Sequence, residues 1–430
     1  MRYCARCLYP ENAKPTIIFD EDGVCSGCRY HESRSNAEID WDEREKTLLR
    51  IVDEAKEEAR IRQNVYDCII PVSGGKDSTY QVYLMKEVYG MNPLLVTFNH
   101  CFNTRSGLRN LENLVTKFGC DLVRYTINLD AVRKIARYML ETVGDLTWPY
   151  HGGIMTVPIQ EAVNRNIPFI FWGEHGFAEL VGVFTLEDYV EFTKWTRKEH
   201  SMRGYEHHDL VGKAGITLQN MAPFIYPSDS KIEEVNLRGI YLSNFHFWDA
   251  KKQAELMIEK FGWRPVTYRR ARTFILHGKI EDHANDVHDY LKYLKFGYGR
   301  ATDNSSMEIR HGRMTREEGI EMVKKYDHIE PPSLDYYCDF LGITKEKFYD
   351  LIKEMRDPNI WEKQSDNNWK VKDSVVNHII GEEEERARVP QSKDRTLSKA
   401  NRQLYYNDDH PPIPYGDDDF DKPNYEFKVL

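Results

Sequence analysis

The hexapeptide Ser73-Gly74-Gly75-Lys76-Asp77-Ser78 constrains this chain more than any other stretch. It joins the apolar run Cys68-Ile69-Ile70 to an amphipathic pattern marked by Tyr80, Leu84 and Val88. The run predicts a strand and the spacing after it predicts a helix. Two adjacent glycines at such a junction let backbone N–H groups turn toward an anion with no Cβ in the way, and the helix N-terminus adds partial positive charge. A glycine turn that merely caps a helix with Ser and Asp is the plainer alternative. The position directly after an apolar strand favours phosphate binding.

The same alternation of apolar runs and helical periodicity continues downstream. Strands are expected at 67–72, 93–99, 122–126 and 167–172, and helices at 132–143 and around Leu111, Leu114, Val115 and Phe118. Such alternation marks an α/β fold with a doubly wound parallel sheet and right-handed crossovers. Before it, 41–60 reads as a linking amphipathic helix; after Phe177 the chain reads as mainly helical, including 248–261 and 316–326. The expected organisation is a metal ribbon at 1–32, a linker helix at 33–64, a phosphate-loop domain at 65–235, a helical substrate or partner region at 236–380, and an acidic proline-rich tail at 381–430.

At 430 residues the chain exceeds what one core usually serves. Its 41% apolar and 30% charged residues are those of an ordinary globular protein, with no apolar stretch near the roughly 20 residues of a membrane span. The N-terminus lacks the apolar core of a secretory signal, so a cytoplasmic protein with reduced thiols is expected. A net charge of −10 disfavours a nucleic-acid partner, although a local basic patch would survive in that average.

Cys4-x2-Cys7 and Cys25-x2-Cys28, with 17 residues between the pairs, match the spacing of a closed four-thiolate structural Zn²⁺ site. A redox dithiol and unbound thiols are the competing readings. Cys68 reads as a small buried apolar residue, whereas Cys101, following the second expected strand, is placed where a sulfur-transfer enzyme would want a thiol.

Further candidates lie where open α/β sheets bind ligands, at the carboxyl ends of strands. These are Asn99-His100 and Gly173-Glu174-His175-Gly176. His151, in Trp148-Pro149-Tyr150-His151-Gly152-Gly153, reads as a loop imidazole able to relay protons. The segment 295–313 reads as a glycine-bearing polar loop whose Arg300, Arg310 and Arg313 form forks for an anion, with Asp303 among them. Pairing of those arginines with surface carboxylates is the alternative.

The hexapeptide is not a Walker loop, because Asp77 rather than Ser or Thr follows Lys76. It resembles the loop of N-type ATP pyrophosphatases. That resemblance implies that Ser73, Gly74, Gly75, Lys76, Asp77 and Ser78 bind ATP, with Asn99 and Gly173 beside them, and that Asp77 holds Mg²⁺. Together with the cysteine pairs, Trp172-Gly173-Glu174-His175, Arg300-Ala301-Thr302-Asp303, Glu308-Ile309-Arg310 and Gly312-Arg313, residues 1 to about 380 are similar to the N-acetyl sugar amidotransferase family. Its members include pseudaminic acid and lipopolysaccharide O-antigen amidotransferases. The family implies that the N-acetyl oxygen of a bacterial surface sugar attacks the α-phosphorus, pyrophosphate leaves, and ammonia displaces AMP to give an acetamidino group. Lys76, Asp77, Glu174 and His151 would be catalytic, and Arg300, Asp303, Arg310 and Arg313 would bind the sugar. It also implies glutaminase and barrel partners resembling imidazole glycerol phosphate synthase, since no glutaminase nucleophile stands out here. A tRNA thiolation enzyme, with sulfur as nucleophile, is the alternative expectation.

Overall fold

The computed structural model describes residues 1–35, 39–99, 101–182, 189–266, 270–365 and 368–378. The expected tail at 381–430 and His100 lie outside these residues. Five parallel strands form the central sheet: β1 (Cys68–Pro71), β2 (Pro93–Asn99), β3 (Leu122–Thr126), β4 (Phe169–Trp172) and β5 (Arg238–Tyr241). Their spatial order is β3-β2-β1-β4-β5. Cys68 pairs with Pro93 on one side of β1, and Ile69 with Ile170 on the other.

Alternation along the strands explains why both faces are covered. Ile69, Leu94, Val96, Phe98, Ile170 and Trp172 point into one apolar cluster, while Cys68, Ile70, Leu95, Phe169 and Phe171 point into another. A parallel sheet apolar on both faces needs helices on both faces. Helices Leu129–Val143 and Trp148–Arg165 cover the first; Trp41–Arg62, Lys76–Val82 and Arg105–Phe118 cover the second.

Several expectations change. The sheet runs past the boundary drawn at 235, because Arg238–Tyr241 is its fifth strand, paired with β4 from Phe169↔Arg238 to Trp172↔Tyr241. The helix at Trp41–Arg62 is more than a linker: Leu48, Val52 and Ala55 are buried in the second cluster. Residues 151–153 are not a loop but lie inside Trp148–Arg165. There the glycines serve packing, since a Cβ on Gly153 would sit 2.5 Å from three ring carbons of Phe98, and one on Gly152 would press Phe224 and Met202.

Beyond the sheet, Ala284–Phe296, Arg300–Arg310, Arg316–Tyr326, Ser333–Leu341 and Lys345–Ile352 are helical, and Trp361–Lys363 pairs antiparallel with Trp369–Val371. The segment expected as a polar loop is thus the helix Arg300–Arg310. Gly299 has no side chain to cap it, and Asp327 caps it from a distance, accepting from Gly299 N and Ala301 N (both 2.8 Å) and Thr302 Oγ1 (2.6 Å). No helix among the described residues is long and apolar enough to cross a membrane.

A Gly153→Ala substitution is expected to destabilise the fold by about 1–3 kcal/mol through overpacking against Phe98. Gly176→Ala, whose added methyl would meet nothing within 4 Å, is the control expected to cost little. Urea unfolding of the two variants checks this; equal midpoints would contradict it.

Candidate active site

The strand order reverses between β1 and β4, and their connections leave the sheet in opposite directions. A crevice opens outside the carboxyl ends of those two strands, the place where doubly wound sheets receive ligands. Ser73–Ser78 follows β1, and Gly173-Glu174 follows β4. Two motifs a hundred residues apart therefore face one another.

The phosphate loop is curled on itself. Ser78 Oγ donates to the Gly75 carbonyl (3.0 Å) and accepts from Ser73 N (3.3 Å), and Thr79 Oγ1 also donates to Gly75 O (3.0 Å). Gly74 has φ +86°, and a Cβ on it would strike the Gly107 carbonyl, so glycine is required there on both counts. The helix Lys76–Val82 begins at Gly75 with no side-chain cap, which leaves its leading amides directed at the crevice. Trp263 Nε1 donates to Gly74 O (3.0 Å), and Trp248 Nε1 to Asp77 Oδ1 (3.2 Å). Lys76 Nζ lies 2.5 Å from Asp77 Oδ2.

Around this loop gathers a group of charges. Glu174 and Lys279 are exposed to solvent, although protein crowds closely around both. Burial, and then the neighbouring Asp77 charge, push Glu174 up to about 7 against the pull of Lys76 and Lys279. Burial works against the Lys76 ammonium, but Asp77 and Glu174 outweigh it and its pKa is raised. Lys279 is pushed down by burial and by Arg300, with Asp289, Glu281 and Glu174 opposing. A carboxyl poised near neutrality between two ammonium groups can take or release a proton.

Lys279 and Glu281 carried no motif and escaped the sequence reading. Glu281 is held over the loop by its own backbone: its carbonyl accepts from Thr104 N (3.0 Å), its Cα packs on Gly107, and its Oε2 would be 3.5 Å from a Cβ on Gly75. Lys279 adopts φ +51°, an uncommon conformation for a long side chain. That backbone feature and its place over the crevice are tertiary signals.

The other expected residues make contacts of their own. Asn99 is buried, its amide donating to Thr126 Oγ1 (3.1 Å) and its Oδ1 accepting from Cys101 N (3.2 Å), so it shapes the turn after β2. Gly173 packs against Gln81 and Trp248, where a Cβ would lie 2.9 Å from Gln81 Nε2. His151 stands by His288 (ring centroids 5.5 Å), in a group around Asp145 rather than at the phosphate loop. The arginine forks close within the chain instead of standing open. Arg300 grips Asp289 (2.8 and 2.6 Å) and Asp303 (3.2 Å), Asp303 accepts from Tyr9 Oη (2.9 Å), and Arg313 grips Glu308 and Asp249. Arg310 donates to the carbonyls of Glu179 and Leu180 and reaches Cys25 Sγ (3.5 Å).

Cys4, Cys7, Cys25 and Cys28 converge, with all four sulfurs within 4.8 Å of one another. Cys4 to Cys28 is 3.9 Å and Cys7 to Cys25 is 3.6 Å, close to the edges of a tetrahedron of sulfurs about 2.3 Å from a central ion. The amides of Cys7 and Cys25 point at Cys4 Sγ (3.4 and 3.3 Å), and the Arg310 guanidinium offsets thiolate charge. The donor set fits a closed structural metal site.

Residues 253–375 match the family described as LPS biosynthesis protein WbpG-like, C-terminal domain. The matched segment contributes Trp263 and Glu281 to the phosphate loop and Lys279 to the charges around Glu174. A stretch of 120 residues is 25% identical to the uncharacterised protein MJ1599 of Methanocaldococcus jannaschii, covering 28% of this chain and 41% of that relative's length. Among solved structures, NMN synthetase from Francisella tularensis aligns with 13% identity and a TM-score of 0.26 over 46% of this chain and 92% of that one. The U34-tRNA thiolase NcsA from Methanococcus maripaludis aligns with 14% identity and a TM-score of 0.23 over 66% and 82%. Scores so low carry no argument, and the fold assignment rests on the strand order itself.

Two outcomes are expected. Because the folded pKa of Glu174 lies above its ordinary 4.5, the fold binds an extra proton between about 4.5 and 7, and stability falls as pH rises through that window. Glu174→Gln should flatten this fall, matching the parent near pH 4 and exceeding it above pH 7 in thermal melts without nucleotide; parallel curves would refute it. Cys25→Ser should abolish binding of about one zinc ion per chain and lower the melting temperature by on the order of 5 °C or more, read by elemental analysis and calorimetry.

Proposed function

We propose that this protein is an ATP-consuming amidotransferase of lipopolysaccharide or related surface-sugar biosynthesis. The observation that carries the reading is the meeting of the Ser73–Ser78 loop with Trp263 and Glu281 of the WbpG-like segment, which supports one site shared by the loop and that segment. ATP would lie with its β- and γ-phosphates on the loop amides and Lys76, and with Mg²⁺ on Asp77, an oxygen ligand suited to a hard cation. Zinc would hold the ribbon.

In the proposed reaction the oxygen of a sugar N-acetyl group attacks the α-phosphorus and pyrophosphate departs. Ammonia then adds to the activated carbon and AMP leaves, giving an amidinium. An amide carbon is a poor electrophile with a poor leaving oxygen, and adenylylation removes both obstacles. Lys76 offsets charge on the departing pyrophosphate. Glu174, near neutrality in its cleft, would accept a proton as ammonia adds. The ammonia source in this reading is a separate glutaminase with a barrel subunit. Pseudaminic acid and O-antigen sugars are both acceptors of the required type.

Cys101 speaks against the sulfur-transfer alternative. Its thiol is buried, bonded to Asn99 O (3.6 Å) and pushed up to about 12 by burial and Asp282, far from the exposed thiolate that such chemistry uses.

Pyrophosphate release with Mg²⁺-ATP and ammonium tests the proposal across a panel of acetamido sugars, with unmodified tRNA plus a sulfur donor in parallel. Sugar-dependent release, with a product about one mass unit lighter as NH replaces O, is expected. Lys279→Met should reduce it by about 10²-fold or more, the range for loss of a positioned charge. Release with tRNA alone would overturn the reading.

A further inference from the structure

The two oxygens of Asp77 are held by donors of opposite character. Lys76 Nζ reaches Oδ2 (2.5 Å), and Trp248 Nε1 donates to Oδ1 (3.2 Å). The ammonium ends a flexible four-carbon stem, whereas the indole N–H is fixed in a rigid ring. The Asp77 side chain is 32% exposed beside the phosphate loop, and Trp248 is buried. The carboxylate is therefore fastened from within the protein on one side and open to the crevice on the other. A carboxylate next to a phosphate site is the ligand chemistry that a hard divalent cation prefers.

Packing on every side fixes the indole. Its ring meets Tyr80 edge to face (centroids 5.5 Å, planes 77° apart), and Tyr80 lies about one turn beyond Asp77 on the helix Lys76–Val82. Gly173, just after β4, admits the ring, because a Cβ there would lie 3.2 Å from Trp248 Cζ2. The next residue, Asp249, anchors the backbone: Oδ1 accepts from Lys251 N (3.1 Å) and Oδ2 from Arg313 Nη1 (2.8 Å). Trp248 thus joins the phosphate-loop helix, the turn after β4 and the start of the helix Ala250–Phe261, although Phe247-Trp248-Asp249 carries no motif.

We infer that Trp248 is a positioning residue for the cation ligand: it holds the Asp77 carboxylate by Oδ1 and so presents Oδ2 to the divalent cation that accompanies ATP. The inference rests on the reading of this loop as the site of ATP and Mg²⁺. Without nucleotide, Lys76 occupies Oδ2. Nucleotide phosphates carry more negative charge than one carboxylate and draw the ammonium to themselves, which releases Oδ2. The indole keeps the carboxylate from following. Among the described residues its N–H has no other acceptor, and a buried donor left without one is costly. Groups that orient a metal ligand in this way tune the affinity for the ion without touching it.

Calorimetric titration of the full-length protein with a non-hydrolysable ATP analogue, repeated over a range of Mg²⁺ concentrations, examines this role by binding alone. The parent should bind the analogue more tightly as Mg²⁺ rises. Trp248→Phe keeps the ring and deletes the N–H; it should need about tenfold more Mg²⁺ for the same tightening, with affinity in the absence of Mg²⁺ unchanged. Gly173→Ala, which crowds the indole instead of altering it, should shift the Mg²⁺ demand in the same direction. In an Asp77→Asn background Trp248→Phe should add nothing. An unshifted Mg²⁺ dependence in Trp248→Phe, or equal weakening with and without Mg²⁺, would overturn the inference, the second outcome marking an indole that only supports the fold. An Asp77→Asn protein that answers Mg²⁺ as the parent does would remove the cation reading and the role of Trp248 with it. The expected shift without any sugar-dependent pyrophosphate release would instead remove the proposed reaction and leave that role standing.

Discussion

Everything in this molecule hangs on the crossing of backbones beneath the crevice, where Gly74, Gly107 and Glu281 meet. Gly74 turns through a left-handed conformation with its Cα against the Gly107 carbonyl, and Gly107 in turn lies under the Glu281 backbone. No side chain fits between these three layers. Strand β1, the helix after β2 and the WbpG-like segment are therefore locked together at the point where the sheet order reverses. A methyl at any of these glycines would separate the nucleotide loop from the residues that complete it.

That lock gives the charges their meaning. Lys76 and Asp77 beside each other would be an ordinary surface pair, worth little in water. Enclosed by Glu174, Lys279 and Glu281, they form a cleft in which each charge alters its neighbours, and Glu174 is moved to about 7. A second line of ion pairs runs from Asp289 and Arg300 through Asp303 to Lys292. The arginines expected to seize a ligand instead build the scaffold. Arg310 ties the cysteine site to the backbone at Glu179 and Leu180, five and six residues beyond Glu174, so ribbon and crevice share one support.

Some of the fold was legible in local pattern. β2 and β3 have the bounds their apolar runs predict, and Arg316–Tyr326 has those of its helical spacing, begun by a capping box of Thr315 and Glu318. β5 was missed because four residues, Arg238–Tyr241, between polar segments carry no periodicity of their own; β4 makes them a strand. Arg300–Arg310 was read as a loop because its polar composition and preceding glycine have low helical preference. Its cap comes from Asp327, and its small residues face the ribbon, with Leu8 N donating to Ser306 Oγ at 3.3 Å.

The sequence by itself determined the α/β alternation, the glycine loop after β1 and the two cysteine pairs, because each is a short-range pattern whose chemistry resides in neighbouring residues. Only the tertiary structure decided that Glu174 faces Lys76 and that Trp263 and Glu281 stand over the loop. Those meetings depend on strand order and on close backbone packing between segments hundreds of residues apart. Neither quantity is written into any local stretch of the chain.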